Sequence, residues 1–171
     1  YQSKNFTTVI LRPATVCGYS RRQRLDVVVN LLTNLAYNKR EISVFGGRQL
    51  RPNIHIKDMV KAYSMILKMP SKLIAGETFN VGFKNNTVLS LAKKVRKIIG
   101  KDVKLVKVPS NDNRSYRISS RKISKKLGFT PHHSIDKAIK ELKLAFIKGK
   151  LKNSLSNQYY FNIKRMQSVN L

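Results

Sequence analysis

Short β-branched or apolar runs alternate along this chain with stretches of helical spacing, and that alternation restricts the fold more than any other feature. Thr7 to Leu11 (TTVIL) ends at Arg12-Pro13 and reads as a buried strand feeding a loop. Ile42 to Phe45 stops at Gly46-Gly47, Asn53 to Ile56 leads to Asp58, and Glu77 to Val81 closes at Gly82. Val103, Leu105 and Val108 mark a further strand. Between these runs, Val27, Val28, Leu31, Leu32 and Leu35 give a helix over Asp26 to Tyr37, with Asp26 in its first turn. Asp58 is expected to cap a helix from Met59 to Lys68, ahead of Pro70. Thr87 reads as the N-cap of a helix bearing Leu89, Leu91, Ala92, Val95, Ile98 and Ile99, with Gly100 at its C-terminal end. Ser119 to Leu127 and Ser134 to Lys148 are further helices, ending at Gly128 and Gly149. Strands separated by helices belong to a mostly parallel sheet covered on both faces, so the fold class is α/β.

A strand starting at residue 7 has no preceding neighbour in this sequence, and no strand, glycine-rich turn and helix of a dinucleotide-binding unit stands before it. The βαβ pattern therefore reads as cut in its middle, as in a fragment or a naturally shortened chain. The 171 residues, 42% of them hydrophobic, suffice for one ordinary core. No run approaches the ~18 apolar residues of a membrane span, and the YQSKNFTTVIL start lacks the layout of a signal peptide, so a cytoplasmic protein is expected. Cys17 is alone, which rules out an internal disulfide; with no second Cys and no clustered His, no metal is expected either.

Charge is the unusual compositional fact. There are 35 Lys and Arg against 8 Asp and Glu, a formal +27. Such a surface attracts polyanions, nucleic acid among them, through counterion release and long-range attraction. The excess, however, sits on separate predicted helix faces (Lys93, Lys94, Lys97; Lys122, Lys125, Lys126; Lys137, Lys140, Lys143), and no nucleic-acid recognition motif appears. It reads first as compositional bias, with nucleic-acid binding as the alternative.

Six segments carry a resemblance: ILRPATVCG (10–18), RLDVVVNLL (24–32), ISVFGGRQLRPNIHIKD (42–58), GETFNVG (76–82), DNRSYRIS (112–119) and KKLGFTP (125–131). In this order and at these spacings they resemble the C-terminal half of the NAD-dependent epimerase/dehydratase family, the extended short-chain dehydrogenases that modify nucleotide sugars. The resemblance implies a partial Rossmann-like sheet, represented by its last strands, plus the small C-terminal α/β substrate-binding domain. It assigns residues 1–149 to this half and leaves 150–171, which have weak periodicity, as a surface-hugging or frayed tail. It also implies NAD(H) as cofactor, held mostly by a segment missing from this sequence, and a nucleoside-diphosphate sugar as substrate. Partners would be the missing N-terminal Rossmann portion or further copies of the chain, and no membrane. The expected function is the substrate-binding part of an enzyme that oxidises a sugar hydroxyl by hydride transfer, incomplete and inactive alone. The alternative is a basic polyanion-binding module with vestigial enzyme ancestry.

Arg51, in RPNIHIKD, stands where the family's phosphate-contacting arginine stands, and a guanidinium can clamp a diphosphate in bidentate fashion. Arg114, in DNRSY, resembles a second basic residue near the same diphosphate or the sugar. Phe45 occupies a position where the family sets a ring or apolar group against the base; core packing is the other reading. Asn30 matches a substrate-bonding asparagine, although bonding to backbone would satisfy its amide equally. In RPAT, the resemblance puts Pro13 and Ala14 beneath the nicotinamide and Thr15 on the substrate. Family chemistry also needs a Tyr four residues before a Lys, ahead of the LRP strand. Tyr1 and Lys4 are three apart, and six residues between Lys4 and Leu11 leave no room for the helix that carries such a pair. Tyr1 is therefore not taken as a catalytic base, and no catalytic residue is assigned. Cys17 reads as a buried thiol, His55 as structural, and His132 and His133 as loop residues.

Overall fold

Along the chain, the computed structural model runs β1 (Val9–Pro13), β2 (Thr15–Cys17), α1 (Val28–Lys39), β3 (Glu41–Phe45), β4 (Leu50–His55), α2 (Ile56–Ile66) and α3 (Ser71–Ile74). There follow β5 (Glu77–Val81), β6 (Lys84–Thr87), α4 (Val88–Ile99), β7 (Lys104–Val108), α5 (Arg121–Leu127), α6 (Ile135–Ile147), a 3-10 turn (Gln158–Tyr160) and α7 (Asn162–Ser168). The residues described are 2–3, 5–111 and 114–169; Tyr1 and Lys4 lie outside them.

Among the described residues the strands form three small sheets. β1 runs parallel to β5, in the register Val9 to Glu77 through Pro13 to Val81. One residue later the chain changes ladder, and β2 runs parallel to β4, whose start pairs antiparallel with β6. β3 lies parallel to β7. The α/β expectation with mostly parallel pairing therefore holds, in separate pieces rather than one broad sheet. The strand β6 (KNNT) has no apolar alternation to announce it; it is a strand because β4 pairs with it. That pairing is also why β4 begins at Leu50, ahead of the predicted Asn53.

Helix starts differ instructively from expectation. Thr87 and Ser134 cap α4 and α6 as predicted, accepting from the N–H groups of Ser90 (3.1 Å) and Lys137 (3.2 Å). At α2, however, the cap is His55, whose Nδ1 accepts from the N–H of Lys57 at 3.1 Å, and the helix starts three residues before the predicted Met59. Asp58 is released from capping for another task. Asp26 likewise lies outside α1, accepting from Arg24 and from the N–H of Asn162 at 2.9 Å.

Burial divides into three clusters. The first packs α1, α4 and α6 on β3 through Val29, Leu32, Ile42, Val44, Leu91, Val95 and Ile139. The second joins β1, β4, β5, α2 and α5 through Ile54, Met59, Phe79, Val81, Ile123 and Phe129. The third (Leu25, Leu142, Ala145, Phe146, Leu151) corrects the expectation of a frayed tail, because the tail closes it. Leu151 and Ser154 are buried there. The Ser154 hydroxyl donates to Asn34 Oδ1 at 2.7 Å, Asn34 Nδ2 donates to the Ser154 carbonyl at 2.9 Å, and the Leu25 N–H donates to the Tyr160 carbonyl at 2.8 Å. This part of the tail is packed against the core. No helix among the described residues is long and apolar enough to cross a membrane.

Ile139, fully buried where α6 meets α1 and α4, should be costly to truncate. Ile139→Ala is expected to lower the unfolding free energy by about 2–5 kcal/mol, whereas Leu67→Ala on the surface changes it by about 0.5 kcal/mol or less. Urea midpoints at unchanged slope check both; equal losses would contradict this picture of the core.

Candidate functional site

Arg51 sits near the start of β4, half-buried beneath an irregular strap formed by residues 114–120. Side chains lace the strap down where no ladder exists. The Leu50 N–H donates to Ser115 Oγ (2.9 Å), and the Asn85 carboxamide mimics a strand by accepting from the Ile118 N–H (3.0 Å) and donating to its carbonyl (3.1 Å). Ser120 Oγ both accepts from the Gly82 N–H (2.8 Å) and donates to the Gly82 carbonyl (3.0 Å). A Cβ at Gly82 would stand 2.6 Å from Ile118 Cδ1 and 3.1 Å from Ala14 Cβ, so a larger residue there would force the Ile118 side chain to shift. Under this strap, Arg51 Nη1 donates to the Leu50 carbonyl at 3.0 Å and to the Arg114 carbonyl. Its guanidinium carbon lies 5.9 Å from the centre of the Tyr116 ring. Arg51 and the backbone of Arg114, distant in sequence, are thus brought together, with the Arg114 side chain exposed.

Thr15 stands opposite Asn53 in the β2–β4 ladder. Since strand side chains alternate with period two, Arg51, Asn53 and Thr15 share one face. Asn53 was not singled out from the sequence, although a lone amide in the run PNIHI was the available signal. Its Nδ2 donates to the Arg51 carbonyl at 2.7 Å, while its buried Oδ1 has no hydrogen-bond partner. Phe45, at the end of β3, is 55% exposed, which sets aside the core-packing reading. Gln49 clamps the turn joining it to β4, donating to the Phe45 carbonyl and accepting from the Gly47 N–H, both at 2.6 Å.

Asn30 is not brought to this cluster. Its Oδ1 accepts from the Gly18 N–H (3.0 Å) and its Nδ2 donates to the Arg24 carbonyl (2.8 Å), so both halves of the buried amide close the loop after β2. That loop leaves the Cys17 end of the β2–β4 ladder, ~13 Å along β4 from Arg51 at ~3.3 Å per residue. Pro13 is exposed at the carboxyl end of β1; Ala14 is buried and donates its N–H to the Val81 carbonyl at 2.8 Å. The carboxyl end of parallel strands is where α/β folds receive ligands. The sequence has no glycine-rich turn to receive the pyrophosphate.

The sequence reading passed over a Tyr-x-x-x-Lys spacing at Tyr160 and Lys164. It does not form a catalytic pair here. Tyr160 belongs to the 3-10 turn and packs on the third core cluster, whereas Lys164 belongs to α7, its Nζ 5.0 Å from the centre of the Phe161 ring. Cys17 donates its thiol to the Ile54 carbonyl (3.3 Å), and burial pushes its pKa up to about 12, which makes it inert as a nucleophile. Among the described residues no cluster of three or more His, Cys, Asp or Glu could hold a metal ion.

A buried polar network ties the β4–α2 junction to the rest. Asp58, fully buried, accepts from the N–H groups of His132 (3.1 Å) and His133 (2.8 Å) and from His133 Nδ1 (2.8 Å). Burial works to raise its carboxyl, but the bonds from the His133 ring and the two backbone groups outweigh it and hold the pKa below the ordinary value. Because Nδ1 of His55 is an acceptor, its Nε2 carries the proton and donates to Glu141 Oε2 at 3.1 Å. Burial depresses the pKa of His55 despite the nearby Glu141, so the ring stays neutral. The stability that Asp58 contributes is fully present above its unfolded pKa of about 3.9 and is lost as pH falls through the depressed native value. Asp58→Asn is expected to cost about 1–3 kcal/mol at neutral pH, with the gap from wild type closing below about pH 3.9. Urea midpoints measured against pH check this; a gap independent of pH would contradict the assignment.

Known proteins share this fold. Residues 1–82 match the model of the NAD dependent epimerase/dehydratase family. UDP-glucose 4-epimerase of Thermotoga maritima, solved with UDP-glucose, is 26% identical at a TM-score of 0.73 over 85% of this chain and 48% of its own. UDP-glucuronic acid 4-epimerase of Bacillus cereus, solved with UDP-glucuronic acid and NAD, is 25% identical at a TM-score of 0.70 over 82% of this chain and 45% of its own. The dTDP-glucose 4,6-dehydratase of Bacillus anthracis, 19% identical at a TM-score of 0.69 over 84% and 46%, shares the fold. The chain thus spans about half the length of these solved relatives. Over residues 1–82 the chain is thus similar in sequence to the NAD dependent epimerase/dehydratase family, and over most of its length it shares the fold of these solved epimerases.

Proposed function

We propose that this chain forms the substrate-holding side of an NAD-dependent nucleotide-sugar epimerase or dehydratase. The observation that carries the reading is the anchoring of Arg51, on β4, to the backbone of Arg114 in the strap, in a chain whose fold is shared with solved nucleotide-sugar epimerases. A guanidinium forms paired, charge-assisted bonds to phosphate oxygens, which is the chemistry a diphosphate requires. In this reading Arg51 clamps the diphosphate, Arg114 closes over it, Phe45 meets the base with its exposed ring, and Thr15 offers its hydroxyl to the sugar. Asn30 acts at one remove by shaping the loop at Gly18.

NAD, when bound, accepts hydride from the sugar carbon. Of this chain's residues, Pro13 and Ala14 would hold it, at the nicotinamide end. No described residue is assigned the proton transfer, so the chain acts with a dinucleotide-binding unit. The ladder supports such a partner: among the described residues β1 is paired only with β5, and Phe6, ahead of it, and Ile10, within it, are 58% and 54% exposed. Parallel strands are normally flanked and covered, so this edge is where a neighbouring sheet would continue.

Calorimetric titration with UDP-glucose at about 0.15 M salt tests the proposal. Arg51→Ala should weaken binding by about 1.5–3 kcal/mol, the value of hydrogen bonds to a charged group. Lys93→Ala, on an exposed helix face, should leave it unchanged. Equal losses in the two variants would mean attraction by net charge and would sink the reading.

A further inference from the structure

The far end of β4 leads, through α2, to a second cationic feature that the sugar-nucleotide reading does not use. A cleft of about 220 Å³ lies between the start of α2 and the end of α6, walled by Tyr19, Lys57, Glu141, Ala145, Lys148 and Lys150. Two glycine turns build it. After α6, Gly149 (φ 64°) reverses the chain, with the Gly149 N–H on the Phe146 carbonyl and the Lys150 N–H on the Ala145 carbonyl, both at 3.0 Å. This places Lys148 and Lys150 on either side of one opening. On the opposite wall, Gly18 (φ 106°) is pinned by Asn30 and delivers the half-buried ring of Tyr19.

The charges do not cancel. Glu141, the one carboxylate in the wall, is bonded to Lys57 at 2.9 Å and to His55 at 3.1 Å. Lys148 has no carboxylate partner among the described residues, and Lys150 rests over the Tyr19 ring, its Nζ 5.5 Å from the centroid. Two lysines therefore face the cleft without an acid, above a floor formed by the aliphatic Ala145 and the Tyr19 ring. Lysine serves an oxyanion as a mobile point charge, and the ring offers a flat apolar surface at the same place. The volume falls below the ~300–1,000 Å³ of pockets for drug-sized ligands, so the occupant is small.

We propose that this cleft is an anion site separate from the Arg51 cluster, taking a phosphate group carried on a flat ring, with Lys148 and Lys150 on the phosphate and Tyr19 against the ring. Phenyl phosphate and inorganic phosphate, titrated calorimetrically into the full chain, test it. Phenyl phosphate should saturate at one site, and Lys148→Ala/Lys150→Ala should weaken it about tenfold or more. Lys93→Ala/Lys137→Ala, which removes the same charge from exposed helix positions, should change it less than about twofold. Tyr19→Leu should reduce phenyl phosphate to the affinity of inorganic phosphate, and Arg51→Ala should leave it unaltered. Equal losses in the two lysine pairs would show diffuse attraction by a cationic surface and overturn the proposal. So would a loss in Arg51→Ala, a ring that adds nothing to phosphate, or no saturable binding at all. Melting temperatures of the variants separate lost binding from lost fold, and a Lys148→Arg/Lys150→Arg variant that restores affinity supports the charge role.

Discussion

A single buried carboxylate, Asp58, holds the β4–α2 junction to the loop that leads into α6, and much else depends on that tie. It accepts three bonds from two consecutive residues, His132 and His133, so it orders a loop that has no secondary structure of its own. The His133 ring in turn stacks on His55 with centroids 4.8 Å apart. His55 caps α2 with one nitrogen and reaches Glu141 on α6 with the other. An isolated buried charge is expensive, and this one is tolerated because its oxygens are bonded by groups that would otherwise be unsatisfied themselves. The direction of β4, and hence the placement of Arg51, is set from its far end.

The Arg51 cluster is assembled by a different means. In a chain with 35 basic and 8 acidic residues, ion pairs cannot organise every cation. The strap is instead held by neutral groups: Ser115, Asn85 and Ser120 bond to backbone atoms of Leu50, Ile118 and Gly82. Such bonds are indifferent to net charge and weakly affected by salt, unlike surface ion pairs.

Much of the fold was legible because local chemistry and tertiary structure agree. Glu77 to Val81 appears as a strand at its predicted bounds, and the Thr87 and Ser134 caps sit where hydroxyl chemistry puts them. What escaped the sequence was set by partners remote along the chain. The polar run of β6 carries no periodic signal, and the tail gains its order from Leu25 and Asn34, more than a hundred residues away. The site was legible in the same proportion. Arg51 and Arg114 could be singled out as types, but a strap of side-chain-to-backbone bonds leaves no periodicity. An amide in an apolar helix, such as Asn30, looks the same in sequence whether its partner is a ligand or, as here, loop backbone. The network of His55, Asp58, His133 and Glu141 was invisible as a unit, since its members sit up to 86 residues apart.

The passage from β1 to β2 has one geometric corollary. Pro13 is in register with Val81 and Thr15 with Asn53, leaving Ala14 alone as the joint between two ladders. A joint one residue long acts as a fixed ruler: it sets the offset between the end of the first ladder and the polar face of the second to a single peptide step. Lengthening it by one residue would turn Thr15 to the opposite face and swap every outward group of β2 for an inward one, so chain length at this joint is constrained more tightly than residue identity.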